Sequence, residues 1–167
     1  MANALDLGLA QRSDWDADKP VQAIDVGTGG GFPGLPIAIA RPNWSVTLLD
    51  STQKKIRVVQ ESIAAIGLKN CSTLVGRAEQ LSRQPQHAER YDLATVRAVG
   101  SIQACLEFAL PFLIDDGIAV LYRGRWSNED TATLKKLLKR MEGRLLAIEA
   151  FETPISQAVR HCVFVQV

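Results

Sequence analysis

From residue 21 onward, short apolar runs alternate with segments whose apolar residues recur every three or four positions. Residues 21–26 are largely apolar and lead through Asp25 into a glycine cluster, the pattern of a buried strand. Residues 35–40 form a short apolar helix that Arg41, Pro42 and Asn43 close with a turn. Residues 45–49, Ser-Val-Thr-Leu-Leu, are a second strand ending at Asp50. Ser51 or Thr52 can cap a helix reaching Ile66, on which Ile56, Val59, Ile63 and Ile66 share one stripe. Gly67 then stops it. Further strands are predicted at residues 72–75, 91–96 and 117–122, with helices at 102–110 and 129–141. Two more strands fall at 145–151 and 159–167. The polar, Asp-rich stretch 1–20 around Trp15 reads as a short helix followed by a loop.

Strand and helix in regular alternation specify an α/β fold, with a mostly parallel sheet covered by helices on both faces. Seven strand segments fit a Rossmann-like sheet. The last two follow each other without a long helix, which predicts a C-terminal antiparallel hairpin. Right-handed crossovers place the loops after the parallel strands on one edge. That edge would carry residues 27–34, 50–52, 77–79, Arg97 and residues 123–126.

At 167 residues the chain fits one domain, residues 1–167. Nineteen Lys and Arg against eighteen Asp and Glu leave a net charge of +1, too little to hold nucleic acid by bulk electrostatics. An RNA role would need a local basic patch. Cys71, Cys105 and Cys162 form no C-x-x-C pair, which argues against zinc or a disulfide framework and for buried thiols in a reducing cytosol. No metal site is expected. No apolar run has the length of a membrane span and no signal peptide is visible, so a cytoplasmic chain is expected.

The main chemical signal is Asp25-Val26-Gly27-Thr28-Gly29-Gly30-Gly31-Phe32-Pro33-Gly34. Glycines let the chain turn sharply and let a ligand approach the backbone. Asp50, ending the next strand, is placed to accept both hydroxyls of a ribose. Two ligands compete. From Gly29 the segment matches the G-x-G-x-x-G of dinucleotide binders; from Asp25 it reads D-x-G-x-G-x-G, the signature for S-adenosylmethionine. Pro33 removes an amide that a pyrophosphate would use, and neither a second domain nor a Tyr-Lys pair is visible. The methyl donor is favoured, with Asp25 or carbonyls available to its ammonium group.

Asp25–Gly34 with Pro36, Leu48-Leu49-Asp50-Ser51 with residues 54–57, Gly76-Arg77-Ala78-Glu79, Val96-Arg97-Ala98 and Arg160-His161 resemble the RsmG (GidB) family. These are bacterial enzymes that methylate N7 of a guanine in small-subunit (16S) ribosomal RNA. The resemblance runs from about residue 21 to the end, and G-T-G-x-G-x-P-G is its most specific element. It implies a class I methyltransferase fold and S-adenosylmethionine as cofactor. Gly27, Gly29, Gly31 and Phe32 would line the cofactor pocket, with Asp50, Ser51 and Thr52 near the ribose and Ala78 and Glu79 at the adenine. Arg97 would border the methionine end and the incoming guanine, and Arg123 would assist it. Two departures stand out. Little of the family's N-terminal helical segment is present, and Tyr122-Arg123-Gly124 replaces the usual Leu-Lys-Gly.

Guanine N7 attacks a methyl group without losing a proton, so positioning and electrostatics matter more than a general base. The sequence agrees: it has no N/D-P-P-Y/F motif and no Pro-Cys nucleophile. His87 is expected in solvent and His161 as a structural histidine. Arg97 is read as a donor to guanine O6 or phosphate, or else as an ion-pair partner of Asp25 or Asp50. Arg123, Arg125 and Trp126 suit RNA stacking and phosphate contact, or else an exposed loop with Trp126 packed back. Lys135, Lys136, Lys139 and Arg140 read as a solvated helix face. The partner implied is ribosomal RNA or the small subunit, met by a monomer. A small-molecule methyltransferase and a non-catalytic nucleotide-binding module remain as alternatives.

Overall fold

A computed structural model describes Leu9, residues 19–97 and residues 100–167. The helix and Trp15 expected before residue 19, and the place of Ala98, lie outside the described residues, except that Leu9 is helical and fully buried. The order of elements is β1 (Gln22–Val26), α1 (Gly34–Ala40), β2 (Ser45–Asp50), α2 (Gln53–Ile66), β3 (Cys71–Val75), α3 (Ala78–Leu81) and β4 (Tyr91–Arg97). Then come α4 (Ile102–Ala109), a 3-10 turn (Leu110–Phe112), β5 (Leu113–Arg123), α5 (Asn128–Arg140), β6 (Arg144–Glu152) and β7 (Val159–Gln166).

The strands form one sheet in the order β3-β2-β1-β4-β5-β7-β6. The first five are parallel; β7 runs antiparallel between β5 and β6. The expected hairpin is therefore β6–β7, with its second strand inserted inside the first. Side-chain alternation splits the core in two. Ile24, Val26, Ala94, Val96, Ala119 and Leu121 face α3, α4 and α5. Ala23, Val46, Leu48, Leu93 and Val120 pack on the other face with α1, α2 and Leu9.

Several boundaries follow from local chemistry. Gly67 takes a left-handed φ of 74° and its amide caps the carbonyls of Ile63 and Ala64. Ser127 and Asp130 form a capping box that starts α5. Three expectations are corrected. Ile66 is 54% exposed rather than packed, while Leu68 in the following turn packs against the core. β5 begins at Leu113 rather than 117, with a shift in its pairing to β4 between Tyr91 and Leu93 that admits Asp115 and Asp116. Of the three thiols, Cys71 is only half-buried, whereas burial pushes the Cys162 thiol up to about 12.

One polar side chain joins the two layers. The Asn70 amide nitrogen lies 3.0 Å from the carbonyls of Ala38 and Arg41 and 3.1 Å from that of Trp44, tying the end of α1 to the start of β2. Removing it leaves those carbonyls short of a donor, so Asn70→Ala should lower unfolding free energy by about 1–3 kcal/mol in urea titration. An unchanged midpoint would contradict that role.

Candidate functional site

The strand order reverses direction of growth between β1 and β4, the place where open α/β sheets bind ligands beyond their strand ends. A cavity of about 380 Å³ opens there. One wall is the glycine loop. Gly27 and Gly29 take φ of 74° and 59°, values that side-chain-bearing residues rarely adopt. The amides of Gly27 and Thr28 both donate to the Leu49 carbonyl at 2.8 Å, which presses the loop onto β2.

Beneath the loop lies Asp25, 1% exposed. Its Oδ2 accepts from Thr28 Oγ1 at 2.6 Å and from the Gly34 amide at 3.0 Å; its Oδ1 accepts from Thr95 Oγ1 at 2.8 Å. Gly34 is required here by close approach: a Cβ would overlap the Leu48 side chain and press on the Asp25 carboxylate. Asp25 thus ties the loop's two ends to β4 and does not line the cavity.

Asp50 does line it. Oδ2 accepts from the Gly29 amide at 3.0 Å and Oδ1 from the Thr52 amide at 2.9 Å, while Lys55 Nζ stands 3.6 Å from Oδ2. Two amides and one ammonium fix the plane of this carboxylate at the cavity wall and keep it compensated. Thr52 is the N-cap residue of α2 but makes no side-chain cap; the Asp50 carboxylate serves its amide instead. Lys55 sits in the first turn of α2, where the helix dipole disfavours a cation, and Asp50 is the reason it is tolerated.

Of the sequence candidates, Gly27, Gly29, Asp50, Ser51, Ala78, Glu79 and Arg97 line the cavity. Gly31, Phe32 and Thr52 do not. Phe32 is 49% exposed and lies beneath the Arg97 guanidinium, whose centre is 6.0 Å from the ring centroid. Arg97 Nε donates to the Phe32 carbonyl at 3.1 Å, so this arginine is anchored to the glycine loop rather than ion-paired with Asp25 or Asp50. Lys55, Arg77 and Phe108 also line the cavity; sequence reading had no role for them. Lys55 and Arg77 had signals in the 54–57 and 76–79 segments; Phe108 had none.

A second cavity, of about 430 Å³, shares Arg97 with the first and holds Arg123, Arg125 and Arg160 with Phe151 and Thr153. Trp126 is not among its walls. Its indole Nε1 donates to Thr131 Oγ1 at 2.8 Å and the ring packs on the α4–α5 core, so of the two readings for residues 123–126 it is the loop with Trp126 packed back that holds. His161 Nδ1 lies 2.7 Å from the Gly124 carbonyl, a structural contact. His87 is half-buried in a turn rather than fully solvated. Lys135, Lys136, Lys139 and Arg140 form an exposed face of α5.

The start of α1 separates the two candidate ligands. The Gly34 amide is taken by Asp25, that of Leu35 by the Gly31 carbonyl and that of Ile37 by the Pro33 carbonyl, while Pro36 has none. No amide of that turn is left for a pyrophosphate. A ligand with a ribose and no pyrophosphate fits the wall better.

The fold is that of the Rossmann-like methyltransferases. It superposes on a SAM-dependent methyltransferase from Aquifex aeolicus with a TM-score of 0.71 at 15% identity, covering 99% of this chain and 88% of that one. TrmN from Thermus thermophilus gives 0.69 at 20% identity, covering 99% and 47%. Residues 9–161 match the family model GidB, rRNA small subunit methyltransferase G. The chain is 50% identical over 161 residues to Ribosomal RNA small subunit methyltransferase G of Microcystis aeruginosa, covering 95% of this chain and 72% of that protein. It is 53% identical over 152 residues to the protein of that name from Thermosynechococcus vestitus, covering 91% and 64%. The chain therefore belongs to the GidB family of small-subunit rRNA methyltransferases, and spans about two thirds of the length of these relatives.

Burial pushes the Asp25 carboxyl above its ordinary value of 3.8, opposed by the bonds from Thr28, Thr95 and Gly34 and by the Arg97 charge. With a folded pKa above the unfolded one, the folded state holds the proton longer. The group's contribution is then greatest at low pH and falls as pH rises through the folded value. Asp25→Asn abolishes this titration. Measured by urea unfolding from about pH 4 to about pH 8, the stability of wild type relative to the variant should decline as pH rises. A relative stability that grew with pH would mean the carboxylate is held ionised by its donors.

Proposed function

We propose that the chain transfers the methyl group of S-adenosylmethionine to N7 of a guanine in small-subunit ribosomal RNA, as a cytoplasmic monomer acting through a single domain. The observation that carries this reading is the junction of two cavities at Arg97, one walled by the glycine loop and Asp50, the other by arginines. Membership of the GidB family supports the substrate class.

S-adenosylmethionine, when bound, supplies a methyl group on a sulfonium centre: the guanine N7 lone pair forms the new bond as the old C–S bond breaks, its electrons passing to sulfur. No proton is removed, so no side chain need act as base. Asp50 holds the ribose hydroxyls, Ser51 flanks them, and Ala78 and Glu79 meet the adenine at the α3 start. Gly27 and Gly29 expose backbone along the cavity wall. Asp25 acts beneath them by fixing the loop. Arg97, steadied by the Phe32 carbonyl and ring, orients the guanine through O6 where the cavities meet. Arg123 borders the acceptor side.

Calorimetry is expected to show S-adenosylmethionine binding to the wild type, about tenfold or more weaker in Asp50→Ala, and no binding of NADH. NADH binding would reject the methyl-donor reading. In a transfer assay on small subunits lacking the modification, label should appear as 7-methylguanine. Arg97→Ala should lower the rate by about tenfold to a hundredfold. Label on another base would overturn the assignment.

A further inference from the structure

The second cavity has a composition that the cofactor does not explain. Arg97, Arg123, Arg125 and Arg160 all line this cavity of about 430 Å³ in a protein whose net charge is only +1. Among the described residues no carboxylate pairs with any of the four. Arg123 is pinned at the rim: its Nη1 donates to the Gly100 carbonyl at 3.1 Å and lies 3.9 Å from Cys105 Sγ. Arg160 donates one Nη1 bond to the Val159 carbonyl at 3.2 Å, and both Arg125 and Arg160 are exposed. Four guanidiniums lining one cavity give it a positive potential that suits an anion.

Topology explains why these residues meet. β7 is inserted beside β5, so Arg123 pairs with His161, and Phe151 pairs with Arg160 across the hairpin. Paired residues share a face of the sheet, which sets the Phe151 ring beside the Arg160 side chain. The hairpin thereby brings an aromatic surface and a guanidinium to the end of β5, next to Arg97 and hence next to the first cavity.

We propose that this second cavity is a phosphodiester subsite, in which Arg160 and Arg125 grip the RNA backbone phosphate of the target nucleotide while the Phe151 ring packs against its sugar or a neighbouring base. Guanidinium forks bind phosphate oxygens in pairs, and an aromatic face beside them suits single-stranded RNA. Neither Phe151 nor Arg160 lines the cofactor cavity. The inference rests on the reading that the acceptor is RNA, and it assigns the terminal hairpin to substrate binding.

The test is NMR titration of the intact chain, saturated with S-adenosylhomocysteine, with guanosine 5′-monophosphate and with guanosine. The monophosphate should perturb residues 123–125, 151–153 and 160, and should bind roughly tenfold more tightly than guanosine. Arg160→Ala and Arg125→Ala should each remove most of that advantage, with Arg160→Lys restoring part of it. Affinity for S-adenosylhomocysteine should not change. On small ribosomal subunits, each alanine variant should reduce the slope of log affinity against log salt by about one unit. Equal binding of the two ligands by the wild type, or loss of cofactor affinity in Arg160→Ala, would overturn the proposal. A chain that shows the phosphate preference but transfers no methyl to small subunits keeps the subsite, and it is then the ribosomal RNA reading that falls.

Discussion

The carboxylate of Asp25 holds the glycine loop in shape. It receives Thr28, three residues on, and Gly34, nine residues on, and also Thr95 of the neighbouring strand. Those three bonds join both ends of the loop and β4 to one carboxylate, beside the Gly27 and Thr28 amides that hold the loop to Leu49. The cost is a charged group in an apolar layer, and burial pushes its pKa up in consequence. The same bonds consume the first amide of α1, which is why this loop, despite its dinucleotide-like spacing, presents no amide cluster to a phosphate. The choice of ligand thus follows from a structural bond rather than from a residue touching the ligand.

From that loop the rest of the edge is placed by sheet register. Val26 pairs with Leu49 on one side and Val96 on the other, so Asp50 and Arg97, each one residue further on, flank the loop. Asp50 is oriented by the Gly29 and Thr52 amides, and Arg97 by the Phe32 carbonyl. Two opposite charges are therefore kept apart across one opening by backbone contacts. The opening continues beyond Arg97 into the arginine-lined cavity, so the two cavities abut at one side chain.

The sheet, its helices and the edge that carries the site were legible because their signals are local: apolar periods of two and near four, Gly67 as a stop, and Asp-Gly spacing at a strand end. What escaped depends on distant pairing. Asp25 and Asp50 look equivalent in sequence; alternation along β1 places Asp25 with Ala23 on the α1 face, under Gly34, and only the assembled layers reveal it. Of the two readings open for Trp126 the packed-back one holds, because Thr131, one turn into α5, offers its indole a partner. Phe151 and Arg160 fall on the expected terminal hairpin, but their place beside Arg97 was not legible, since it follows from β7 entering between β5 and β6.

On the proposed reading one ligand lies with its ribose on Asp50 and its reactive end toward Arg97, facing the arginine cavity. A crystal structure of the chain with S-adenosylhomocysteine tests it most directly. It should show both ribose hydroxyls on the Asp50 carboxylate, the adenine beside Ala78 and Glu79, and the sulfur nearest Arg97 with an open path to Arg160. A ligand with its sulfur turned away from Arg97, or one seated among Arg123, Arg125 and Arg160, would contradict it.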